Sequence, residues 1–331
     1  MLQRAEQLHV GWIKVQFPWD EMEPDGSGSQ SVHWRELELY MQDALQYGFQ
    51  VMVSVTKAPD WARPTNQDNG PPSDPQYLAN FLTHVLSRFG PAIDAIEIWN
   101  EPNLLREWTG APMNGAEYMR LFDAGYQAIT TWSRDNNHPI RVVTAGLAPT
   151  GNSEWSVDDR VFLQQMYQAG LARYSDVAVG IHPYGWGNAP DTHCCNPVDG
   201  RNWDDDPHFF FLDNIETYRQ IMVNAGHSGA QLWATEFGWA TYDGFGYPPP
   251  QPFFDYLNEN LQAHYTIKAL DIIQNSGNYP YVGTMILWNL NFATIPGAVS
   301  ERQEEQAGYS LLRPDYSERP LYWALANALG G

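Results

Sequence analysis

Hydrophobic and polar positions along the chain switch repeatedly between two periods. Short apolar runs at 10–17, 51–56, 95–100, 142–147, 177–182, 232–236 and 281–290 predict seven strands. Between them, apolar residues recur every three or four positions over 34–48, 75–89, 115–134, 158–170, 209–225 and 256–276, with a last stretch at 321–329. Each of these predicts a helix with one buried face. Strand and helix alternate with no second composition regime, which predicts a single α/β domain over 1–331. Joins from helix to strand are short, as in Gly48-Phe49-Gln50-Val51. Joins from strand to helix are long, at 58–74, 185–208, 240–255 and 291–309, and rich in Pro, Gly, Trp and Asp. That asymmetry predicts a (β/α)8 TIM barrel with its functional loops at one end. A doubly wound sheet would carry a Gly-rich phosphate loop after its first strand, and none is present. Residues 2–8 read as the tail of a helix. The barrel is therefore expected to lack its first strand through truncation at the N-terminus, leaving a seam of exposed strand edges and a tendency to self-associate.

Composition narrows the partners. With 331 residues, 43% hydrophobic and 17% charged, the chain can bury a large core and is not of a disordered type. A net charge of −21 makes nucleic acid and anionic membrane surfaces poor partners. No run approaches ~18 consecutive apolar residues, so no membrane span is expected. The N-terminal segment is too polar for a secretion signal. Given the expected truncation, an extracellular location is favoured for a full-length parent. Cys194 and Cys195 are the only cysteines and are neighbours. Consecutive Cα atoms lie ~3.8 Å apart, below the usual disulfide range of ~4.4–6.8 Å. A strained vicinal disulfide, forming a rigid apolar ledge in a binding loop, and a pair of thiols are both compatible with this. Nothing in the pattern specifies an oligomeric state.

The chemistry lies at strand ends. In Ile96-Glu97-Ile98-Trp99-Asn100-Glu101-Pro102-Asn103, alternating apolar residues lead to a carboxylate, and Pro102 stops the strand. The run Leu232-Trp233-Ala234-Thr235-Glu236-Phe237-Gly238-Trp239 delivers Glu236 in the same way. One protonated and one ionised carboxyl are what cleavage of a glycosidic bond with retention requires, the acid's pKa falling once its charged neighbour is consumed. Two ordinary acidic loop residues would not both be expected at strand ends flanked by Trp, Asn and Gly-Trp.

Trp99-Asn100-Glu101-Pro102-Asn103 and Thr235-Glu236-Phe237-Gly238-Trp239 resemble the fourth- and seventh-strand motifs of the clan A glycoside hydrolases, closest to the family 39 and family 5 (cellulase-like) type. The likeness runs from Gly11 onward. It takes in His182-Pro183-Tyr184, Trp288-Asn289 and the closing Arg319-Pro320-Leu321-Tyr322. The resemblance implies Glu101 as acid/base and Glu236 as nucleophile. It implies that Asn100 bonds the sugar 2-hydroxyl, Tyr184 donates to the nucleophile, His182 lines the same subsite and Trp288 forms the apolar floor. Where many clan members carry an arginine on the second strand, this chain has Lys14, a charge without the planar fork. Trp19, Trp61, Trp108, Trp186 and Trp239 lie in loop-like sequence and are expected to stack on sugars in flanking subsites; plugging gaps between helices and strands is the competing use. A zinc site from His182, His193 and Cys194 has no spacing motif behind it, and neither a metal nor another cofactor is expected.

These readings converge on a retaining β-glycoside hydrolase acting on β-linked oligo- or polysaccharides by a two-glutamate double displacement. A catalytically silent carbohydrate-binding barrel would have no use for such a pair. A transglycosylase would use the same residues and differ only in the acceptor. The sugar, and endo or exo action, are matters for the loops at 185–208 and 240–255.

Overall fold

Seven strands form within one or two residues of the predicted starts: β1 Trp12–Pro18, β2 Gln50–Thr56, β3 Ala95–Ile98, β4 Arg141–Thr144, β5 Val179–Ile181, β6 Leu232–Phe237 and β7 Val282–Leu287. They come from a computed structural model that describes residues 1–66, 69–198, 201 and 203–330. The helices are α1 Leu2–Gln7, α2 Trp19–Met22, α3 His33–Gln46, α4 Pro75–Phe89, α5 Gly115–Asn136, α6 Asp159–Gln168, α7 Phe211–Asn224, α8 Glu259–Asn275, α9 Glu305–Gly308 and α10 Pro320–Leu329. Their ends follow local chemistry. Asp74 caps α4 by accepting from the Gln76 amide, with Pro75 in the first turn, where its missing N–H costs nothing. Asn114 and Asn258 cap α5 and α8 in the same manner.

The chain packs as two units, Gly11–Ile181 with Thr217–Trp233, and Met1–Val10 with His182–Glu216 and Ala234–Gly331. In the first, β1, β2, β3 and β4 pair in chain order, all parallel. A parallel bridge from Val143 to Ala178 continues the order to the start of β5, and the Val179 amide donates to the Gln231 carbonyl just ahead of β6. In the second, β6 neighbours β7, and the Trp288 amide donates to the Phe237 carbonyl. Among the described residues the strands fall into sheets of four and three, with no closed barrel. Sequence counts strands, but closure depends on pairings between distant segments. Residues Leu2–Gln7 are helical, as read.

The first unit is held by apolar packing and one buried ion pair. Val51, Val53, Val55, Ile96, Ile98 and Val143 are almost fully buried, covered by Leu82, Leu86 and Phe122 from the helices. Gly125 lets α5 close on β3, since a Cβ there would meet Ile98 Cδ1 at 2.9 Å. On the opposite face of β3, Glu97 forms an ion pair with Lys14 Nζ at 2.8 Å and accepts from the Gly146 amide at 3.1 Å, with both side chains out of solvent. In the second unit, Arg319 is fully buried. Its guanidinium donates to Glu259, to the carbonyls of Gly308, Ser310 and Thr241, and stacks on Phe245. Burial pulls its pKa down to about 10 against the pull of Glu259, so it stays charged at neutral pH.

Lys14→Met should cost about 3–5 kcal/mol in denaturant unfolding, because it strands the Glu97 carboxylate in the interior. A second expectation concerns acid. His227 is buried with Nδ1 3.1 Å from the Tyr167 hydroxyl and Nε2 3.2 Å from the Tyr174 carbonyl. Burial holds its pKa below the usual 6.5, opposed by the Tyr174 carbonyl. The unfolded chain then takes up a proton near pH ~6.5 that the folded chain refuses, so stability is complete above that pH and declines below it. His227→Gln should flatten this part of a Tm-against-pH curve.

Candidate active site

The turn after β3 carries Glu101 in a tense backbone. Trp99 and Glu101 both have left-handed φ, +76° and +43°, a region non-glycine residues avoid at a cost of about 1–3 kcal/mol. The surroundings hold it there. The Tyr118 hydroxyl donates to the Ile98 carbonyl and accepts from the Ala145 amide. The Glu101 amide donates to the Gly146 carbonyl, and the Leu104 amide to the Glu101 carbonyl. Asn103 ties this loop to the one after β4, giving two N–H bonds to Ala148 and Val157 carbonyls and taking the Ala148 amide. The Glu101 side chain is mostly buried, and Arg106 Nη2 donates to its Oε2 at 3.0 Å. Asn100 Oδ1 is buried with no hydrogen-bond partner among the described residues.

Glu236 ends β6, whose six residues are all buried. The Tyr184 hydroxyl donates to Glu236 Oε2 at 2.9 Å, and His182 Nδ1 lies 3.8 Å from the same oxygen. His182 follows β5 directly and is fully buried; Tyr184 packs edgewise on it and against Tyr309. Trp288 follows β7 and is half-buried, its carbonyl close enough that a Cβ on Gly238 would meet it at 3.0 Å. Glu236, Tyr184 and His182 are thus brought together, and Glu101 and Arg106 likewise, each group within its own unit.

The aromatic expectation needs correction. Trp19, Trp108 and Trp239 are at most 1% exposed, and each ring N–H is bonded inside: to Glu23 Oε2, the Pro112 carbonyl and the Asn188 carbonyl. A ring enclosed on both faces offers no platform for a sugar; these three fix loops. Lys14, which the resemblance sets in the place of an arginine, has its amine out of solvent 2.8 Å from a Glu97 oxygen. Trp61 and Trp186 are half-buried. Trp61 donates to the Glu23 carbonyl at 2.7 Å, and Trp186 packs against Phe209 and Phe253.

Several organising residues escaped the sequence reading. Glu23 is fully buried and accepts from Trp19, the Gly28 amide and the His84 ring. Its place four residues after Trp19 on one short helix was the available signal. Arg106 and Asn103 had no local signal, because their partners lie in the strand-end turn and a separate loop. Cys194 and Cys195 are joined as a disulfide, with the Cys194 amide donating to Asp213.

A family 39 glycoside hydrolase from the gut symbiont Bacteroides cellulosilyticus has a similar structure, with TM-score 0.71 and 17% identity over 99% of this chain and 59% of that one. A monomeric β-xylosidase from Caulobacter crescentus gives 0.62 and 17% over 98% and 63%. The family 53 catalytic domain from Ignisphaera aggregans gives 0.62 and 15% over 99% and 83%. The chain shares its fold with these glycoside hydrolases. It spans about six-tenths of the first two of these proteins. No protein-family model matches the sequence, and no curated protein does. On this glycosidase fold the strand ends carry the candidate chemistry, in keeping with the usual placing of sites at the C-terminal ends of barrel strands.

Tyr184→Phe removes one charge-assisted hydrogen bond to Glu236, worth about 1.5–3 kcal/mol. Turnover of a cleaved glycoside should fall roughly ten- to hundredfold, with KM little changed.

Proposed function

We propose that the chain is a retaining β-glycoside hydrolase acting on β-linked oligo- or polysaccharides. The observation that carries this reading is Glu236 at the end of a buried strand with the Tyr184 hydroxyl on one of its oxygens. A carboxylate that accepts from a fixed donor is held in one orientation, as a nucleophile must be. Glu236 attacks the anomeric carbon as Glu101 gives its proton to the glycosidic oxygen. The C–O bond breaks, the leaving group departs as an alcohol, and a glycosyl ester remains on Glu236. Glu101, now a carboxylate, takes a proton from water, whose oxygen attacks the same carbon and releases Glu236. Arg106 supports that second step, since its charge stabilises the carboxylate form of its partner.

The step requires the two carboxyls ~5–5.5 Å apart across the sugar. Asn100 fits the 2-hydroxyl, because a buried acceptor without a partner is costly until a ligand donor reaches it. His182 and Trp288 complete the cleavage subsite, and Trp61 and Trp186 are the sequence-picked tryptophans with surface left to line its flanks. The binding partner is a carbohydrate.

A panel of aryl β-glycosides and β-linked polysaccharides, with the product anomer followed by NMR, tests the reading. Retention is expected, and inversion would overturn it. Glu236→Gln should lower turnover on the order of 10⁴-fold or more while sugar binding persists. Glu101→Ala should hurt poor leaving groups far more than activated aryl glycosides, which need no protonation. Equal losses on the two would remove Glu101 from the acid's role.

A further inference from the structure

The general acid must reach the glycosidic oxygen, so the surface beside it meets the leaving group. Around Glu101 that surface is built from two loops of the same unit, the one after β3 and the one after β4. They are zipped from root to tip. The Glu101 amide reaches the Gly146 carbonyl, Asn103 bonds Ala148 and Val157, Leu104 and Ser156 form an antiparallel bridge, and the Leu105 amide donates to the Trp155 carbonyl at 2.8 Å. Trp155 stands at the tip with its own amide on Ser153 Oγ, so its backbone is held from both sides. Its side chain is 63% exposed, whereas Trp99 and Trp108 in the adjoining loop are enclosed. Tryptophan is well buried on average, and one pinned in the open beside a candidate acid calls for a ligand.

Resting on the assignment of Glu101 as the acid, we propose that Trp155 is the stacking platform for the leaving-group side, and that the natural leaving group is itself a sugar chain. The indole offers a flat apolar face to the C–H face of a pyranose ring. The Leu104 amide closes a turn onto the Glu101 carbonyl, and the next amide, Leu105, crosses to the Trp155 carbonyl, so acid and platform sit on neighbouring segments of the same two loops. Short leaving groups end before the ring; longer ones lie on it.

The test compares wild type with Trp155→Ala on cello- and xylo-oligosaccharides of two to six residues and on the matching p-nitrophenyl glycosides. In the wild type, kcat/KM should rise as sugars are added on the leaving-group side. In Trp155→Ala that rise should vanish, with about a tenfold or greater loss on the longest substrates and a loss at least tenfold smaller on the aryl glycosides. Equal losses on all substrates, or none on any, would overturn the proposal. Quenching of tryptophan fluorescence by the same oligosaccharides separates this from the parent reading. If the wild type cleaves nothing yet binds oligosaccharides through Trp155, the hydrolase reading fails and the platform stands. If it binds none of them, the platform falls as well.

Discussion

The candidate site depends first on the clamp that holds the turn after β3 in a left-handed backbone. Trp99 and Glu101 would relax toward extended or right-handed geometry if the chain were left to itself. Four groups prevent this: the Tyr118 hydroxyl, the Gly146 carbonyl, the Leu104 amide and the Asn103 side chain. Each bond is ordinary in strength, and together they fix where a carboxylate leaves the strand. Below the turn, the Lys14–Glu97 pair holds β1 to β3 through side chains that water does not reach. Strain at the top is tolerated because the base is rigid.

The two candidate carboxylates are supported by different means. Glu236 receives a neutral phenol donor at 2.9 Å, with an imidazole 3.8 Å away. Glu101 receives a guanidinium that is itself 66% exposed, on a loop and not in the core. A half-buried neutral donor fixes the orientation of Glu236 without placing a charge beside it.

Most of the architecture could be read from periodicity. Helix α4 was legible to the residue, because Asp74, Pro75 and Gly90 mark its two ends chemically. Strand starts were legible because a buried parallel strand is a short unbroken apolar run. Closure of the sheet was not, since it depends on which edges meet. The carboxylates stood out through their place before Pro102 and Gly238. Trp19, Trp108 and Trp239 took the competing use, packing, for a plain reason: loop-like sequence says nothing about burial, and an indole whose N–H finds an acceptor packs as readily as a phenyl ring. Glu23 shows the converse, a charged residue that is wholly interior because Trp19, Gly28 and His84 saturate it.

Arg319 ties the order of synthesis to the order of assembly. The segment that follows Glu236 is seated by carbonyl contacts from Thr241 to a cation encoded just ahead of α10. That segment leaves the ribosome well before the side chain that seats it exists. Until Arg319 emerges, the Thr241 carbonyl and the Glu259 carboxylate must stay hydrated, so the segment after β6 reaches its final form late, when α10 docks.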